Sequence, residues 1–183
     1  MKFVVAQLLL LVNLAAVAQS YTVNTAESEM ILFGKTNFGD WEEQVIQFKG
    51  SLHAYLSGTR LNGVSGLELQ IPVKALKAPR KGMANDTYEA LKEKEHPEIT
   101  FVTKSVLLDN GLAAFDGVLT IAGVSRNITI TTTYSYIDKT ITFVGDYVVL
   151  MSDYNIEPPT AMLGTLQADQ TVNIKFKLVF KDY

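Results

Sequence analysis

The stretch Thr171-Val172-Asn173-Ile174-Lys175-Phe176-Lys177-Leu178-Val179-Phe180-Lys181 decides how the rest of the chain is read. Val172, Ile174, Phe176, Leu178 and Phe180 fall on one parity, and Thr171, Asn173, Lys175, Lys177 and Lys181 on the other. A period of two sends successive side chains to opposite faces, so this segment is a β-strand with one dry face and one wet face. A helix would scatter the same residues around its circumference.

Moving back along the chain, the alternation recurs. Ile128, Ile130, Thr132, Tyr134 and Tyr136 interleave with Asn127, Thr129, Thr131, Thr133 and Ser135. Ile141, Phe143, Tyr147 and Val149 interleave with Thr140, Thr142, Val144, Asp146 and Val148, and Asp138-Lys139 supplies a short polar turn between the two runs. Leu67, Leu69, Ile71 and Val73 alternate around Glu68 and Gln70. Strand-like runs also span 30–35, 45–55, 98–108 and 112–121, with Asp109-Asn110-Gly111 turning between the last two, and a short one covers 21–24. About eight or nine strands at this spacing predict an all-β barrel or sandwich.

One segment departs from the pattern. Asp86 to Glu95 is rich in helix formers, with Asp86 placed as an N-cap and Glu89 in capping-box position. Pro97 ends it, so a single short mid-chain helix is expected there. No linker, repeat or low-complexity tract divides the chain, which reads as one domain.

The first residues read differently from all of this. Lys2 is followed by an apolar run from Phe3 to Val17, and Ala16-Val17-Ala18 closes it with small residues. That is the layout of a secretory signal peptide, so residues 1–18 are expected to be removed near Ala18 and 19–183 to form the mature domain. A membrane anchor is the competing reading, but Gln7 and Asn13 dilute the run below the roughly 20 apolar residues a bilayer requires. The expected location is the periplasm or the exterior, with no stable membrane insertion. Cysteine is absent from the chain, so its folding rests on core burial without disulfides, and thiol catalysis and thiolate metal sites are excluded. A formal charge of −3 without a basic cluster predicts no nucleic-acid partner.

Chemistry-bearing residues are sparse. The two histidines, His53 and His96, stand apart, whereas metal sites gather three or four ligands. Asp146 and Asp153 lack a partner motif for acid–base work, and neither a G-x-S-x-G elbow nor a glycine-rich phosphate loop is present. The sequons at Asn85-Asp86-Thr87 and Asn127-Ile128-Thr129 matter only in a host that glycosylates exported proteins. The expectation is a protein that is not an enzyme and carries no metal and no cofactor.

Three ordered motifs then add a resemblance. Asp86 to Phe101, DTYEALKEKEHPEITF, resembles the YceI family's mid-chain helix leading into a His/Tyr-Pro-x-Ile-x-Phe strand. Gly117 to Val124, GVLTIAGV, is similar to its G-x-L-T-I-x-G-x segment, and Asp153 to Pro159, DYNIEPP, to its late D-Y-x-I-x-P-P loop. Tyr21-Thr22-Val23 with Ser28 and Phe33 matches its opening strand loosely. The resemblance implies a closed antiparallel lipocalin-like β-barrel of about eight strands, holding a long apolar lipid of polyisoprenoid or isoprenoid-quinone type. It departs at Arg80 to Tyr88, where the family's arginine–aspartate pair with a histidine before the helix is not intact, which suggests a divergent branch.

Within such a barrel, alternation points to Phe33, Phe48, Ile71, Phe101, Leu119, Ile130, Phe143, Tyr147, Phe176 and Leu178 as the cavity lining. The sequence leaves two readings open: a lipid carrier, or a non-catalytic stress-response or partner-binding barrel whose interior is filled. A homodimer is also left open.

Overall fold

The computed structural model describes residues 18–79, 81–161 and 165–182. Residues 1–17, which carry nearly all of the leader reading, lie outside them. The domain is built from strands β1 (Ala18–Val23), β2 (Glu29–Thr36), β3 (Gly39–Val45), β4 (Lys49–Ser57), β5 (Arg60–Pro72) and the two-residue β6 (Leu76–Lys77). Helix α1 (Lys81–Ala90) follows. Then come β7 (Glu98–Asp109), β8 (Leu112–Ile121), β9 (Val124–Ile137), β10 (Thr140–Leu150), the two-residue β11 (Thr160–Ala161) and β12 (Leu166–Lys181).

The pairing order β1-β4-β5-β7-β8-β9-β10-β12 returns to its start, because β12 also pairs β1 through Thr22↔Lys181 and Val23↔Phe180. Eight antiparallel strands therefore form a ring, which removes the open edges that strands this long would otherwise present. The decisive stretch is its longest strand. β12 pairs β10 over eleven successive positions, from Leu150↔Thr171 to Thr140↔Lys181, and on its other side pairs β2 before it reaches β1. β2, β3 and β6 form a flap that continues the sheet beyond the ring.

The two ends of the ring differ. At one end lie the tight hairpin turns Asn110-Gly111 and Asp138-Lys139, all four residues at positive φ, as the favoured two-residue turns demand. The other end carries α1, the 3-10 segments Val73–Ala75 and Met151–Tyr154, and the longer connections. The hairpin half is solid: Tyr21, Leu52, Ile141, Phe143 and Phe180 are fully buried there. Phe143 packs edge-on against Phe115 at 5.0 Å and against Phe180 at 6.0 Å between ring centroids.

Two sequence expectations are corrected. The helix runs over Lys81–Ala90 rather than from Asp86 to Glu95, so Asp86 is a mid-helix residue and not a cap. It stops early because Lys92 adopts a left-handed φ of 53°. Glu93 N–H then bonds Tyr88 O and Lys92 N–H bonds Glu89 O, the paired bonds of a Schellman ending. The second correction is β3, which sequence reading left out while extending one strand across 45–55. Its inner face carries Trp41, Glu43 and Val45, and the acid in the middle hides the apolar alternation.

Candidate functional site

Strand register assembles the wall of the interior. Leu69, Phe101 and Leu119 are direct partners across β5, β7 and β8. Tyr147, Ile174 and Leu32 are direct partners across β10, β12 and β2. Direct partners in an antiparallel pair share a face, so each row places three apolar side chains side by side. These rows surround a cavity of about 910 Å³ that lies between the packed hairpin half and α1. Phe115, Phe143 and Leu178 line it where the packed half begins; Met83, Ala90 and Leu91, on and just after α1, line its opposite end. That volume falls toward the upper part of the roughly 300–1,000 Å³ range of ligand sites.

Eight of the ten residues singled out from sequence meet on this wall: Ile71, Phe101, Leu119, Ile130, Phe143, Tyr147, Phe176 and Leu178. Phe33 does not. Its neighbour Leu32 takes the inner position, while Phe33 pairs Asn173 on the outer face and lies under the Lys175 ammonium, 5.2 Å from the ring centroid. Met30-Ile31-Leu32-Phe33 is apolar on both parities, so alternation could not choose between them. Phe48 is buried in the core just before β4, but it is not on the cavity wall. Reading also missed Met30, Trp41, Met151 and Ile156 on the lining. The last two frame the 3-10 segment of the DYNIEPP loop, whose Asn155 sits at a left-handed φ of 53°.

Two polar residues on the wall are buried. Thr132 is buried, with its hydroxyl 3.5 Å from Ala113 O. Glu43 is 1 % exposed; its Oε1 accepts from the Thr87 hydroxyl of α1, and its Oε2 is buried without a partner. Burial raises the Glu43 carboxyl above the ordinary carboxylate range, only partly offset by the Thr87 bond. Burial likewise pushes the Tyr154 hydroxyl up to about 12, and raises Tyr147.

The residues weighed for catalysis are dispersed. His53 Nδ1 lies 3.2 Å from Ser20 Oγ on the exposed outer face, and the His96 ring rests against Gly123. Asp146 and Asp153 are exposed, and Arg126 Nε donates to the Asp153 carbonyl at 2.7 Å. Among the described residues no three His, Asp or Glu side chains gather as metal ligands, and no helix is long and apolar enough to cross a membrane.

A hollow antiparallel barrel with an apolar interior and a helix at one end is the class of protein this architecture defines. The sequence model of the YceI-like domain matches residues 21–180, and the chain belongs to that family. Among solved structures it is similar to BcnA of Burkholderia cenocepacia, at 21% identity over 86% of this chain and 98% of that one, with a TM-score of 0.72. It is equally similar in shape to a polyisoprenoid binding domain from Saccharophagus degradans implicated in plant cell wall breakdown, at 14% identity, covering 90% and 99% of the two chains with a TM-score of 0.72. The Campylobacter jejuni YceI protein follows at 19% identity, 79% and 82% coverage and a TM-score of 0.61. Comparison with curated proteins finds no match.

Proposed function

We propose that this chain is an exported, non-catalytic binding protein that holds a long apolar lipid, of polyisoprenoid or isoprenoid-quinone type, inside its barrel. The apolar cavity of about 910 Å³ carries the reading. Each methylene moved from water into such a site is worth about 0.8 kcal/mol, so a long tail supplies its own driving force. The polyisoprenoid binding domain that shares the fold supports the ligand class. The competing reading required a filled interior, and the cavity supports the carrier reading over it.

Export follows from the leader-like first residues. Cleavage after Ala18 would leave Gln19 to Thr22 in register with Ala54 to Ser51 of β4, so the ring survives the cut. N-terminal sequencing of protein recovered from its own host should begin at Gln19; a retained Met1 would end the export reading.

The ligand reading is tested by native mass spectrometry of protein purified from that host, followed by lipid extraction. Co-purification of an isoprenoid, or stoichiometric uptake of an added one, is expected. A protein that carries no lipid and takes up none is not a carrier.

A further inference from the structure

We propose that Glu43 and Thr87 form the head-group site of the cavity and select a lipid whose head is uncharged and bears a hydrogen-bonding oxygen, an alcohol or a carbonyl. The proposal rests on the lipid-holding reading above and sharpens it.

Glu43 occupies the inner face of β3 between Trp41 and Val45, opposite Leu32 of β2, and reaches Thr87 of α1. All of these residues belong to the cavity wall, so the carboxyl sits where the lining changes from sheet to helix. A buried carboxylate is costly unless a cation or several donors meet it. Glu43 has one donor, the Thr87 hydroxyl, and neither ion pair found among the described residues, Lys74–Glu93 and Lys181–Glu27, includes it. The neutral acid is therefore the form the site favours, and burial drives it the same way. A neutral carboxyl keeps an O–H to donate and a carbonyl oxygen to accept. Oε2 is covered by its surroundings, but the terminal carboxyl torsion is broad, so either oxygen can turn toward the cavity.

A phosphorylated head fits poorly at this point. It brings a charge of about −1.5 to −2 beside Glu43, with Asp40, Glu42 and Asp86 also bordering the cavity. No Lys, Arg or His is found on the wall among the described residues. Arg126, which opposes Leu119 on the inner face of the sheet, has its Nε engaged by the Asp153 carbonyl.

The test uses the full mature chain, freed of lipid, with Trp41 as reporter, since it is the single tryptophan and lies on the cavity wall. Three probes share one tail: geranylgeraniol, geranylgeranyl phosphate and the head-less hydrocarbon. The alcohol should bind roughly tenfold more tightly than either of the others, the worth of one or two net hydrogen bonds. Glu43→Leu and, independently, Thr87→Val should draw the alcohol toward the hydrocarbon's affinity, while Glu43→Gln stays near wild type because an amide also donates and accepts. Using two positions guards against a single variant that fails to fold. Phosphate binding as tight as the alcohol's would overturn the proposal. Equal binding of alcohol and hydrocarbon overturns it while leaving the lipid reading intact. Failure of all three probes overturns both.

Discussion

Gly34 and Trp41 meet across β2 and β3 at a contact that leaves no space for a side chain on the glycine. A Cβ there would lie 2.2 Å from the indole, so Gly34→Ala must displace Trp41 from the cavity wall. Overpacking of this kind costs about 1–3 kcal/mol, and urea titration should show it together with a shifted tryptophan emission. Glu43 makes a different demand at the same scale. Its carboxyl binds its proton more firmly in the folded chain than in the unfolded one, where the ordinary value is 4.5. Folding is therefore favoured at acid pH relative to neutral, and that contribution is lost as pH rises from 4.5 through the raised folded value. Glu43→Gln lacks this dependence, so the melting temperature of the variant relative to wild type should rise between pH 4.5 and pH 7. A constant difference would show that Glu43 does not titrate abnormally.

Elements are held by a small number of identifiable bonds. Helix α1 is tied to the flap by the Tyr88 hydroxyl, which donates to Leu76 O at 2.9 Å, and by Thr87 to Glu43. Tyr88→Phe should cost about 1 kcal/mol and raise amide exchange in α1 above that of the ring strands, because the rest of the helix faces a cavity rather than a packed core. The long strands were legible in the sequence because β12, β10 and β9 bury one parity and wet the other. β3 was not, since its buried face includes an acid whose partner, Thr87, lies far along the chain. Nor was the orientation of β2, where both parities are apolar and only the register with Ile174 of β12 and Glu43 of β3 shows that Leu32 turns inward. Helix limits depended on a left-handed Lys92, a conformation that no local propensity announces.

Over the whole molecule, apolar residues are divided between a solid half and a hollow half, although their side chains are of the same kinds. Phe180, fully buried beside Phe143, belongs to the solid half, and Phe180→Ala should cost about 3–5 kcal/mol of stability in denaturant. Ile130, on the cavity wall, has room before it, so Ile130→Trp should leave stability nearly unchanged and reduce lipid uptake instead. Whether an inward apolar face is packed or empty depends on what stands across the ring, and alternation reports only the parity.

The ring closes where β1 meets the end of β12 through two residue pairs, reinforced by the Lys181 ammonium on the Glu27 carboxylate across 154 residues of chain. Contacts between such distant segments form late, after the hairpins from β7 to β12 have assembled locally. The seam is thus the last part to zip and the first to part. Loosening it should accelerate unfolding without slowing folding. In stopped-flow chevrons, Lys181→Ala is expected to raise the unfolding limb and leave the folding limb where it was; a depressed folding limb would place the seam in the nucleus.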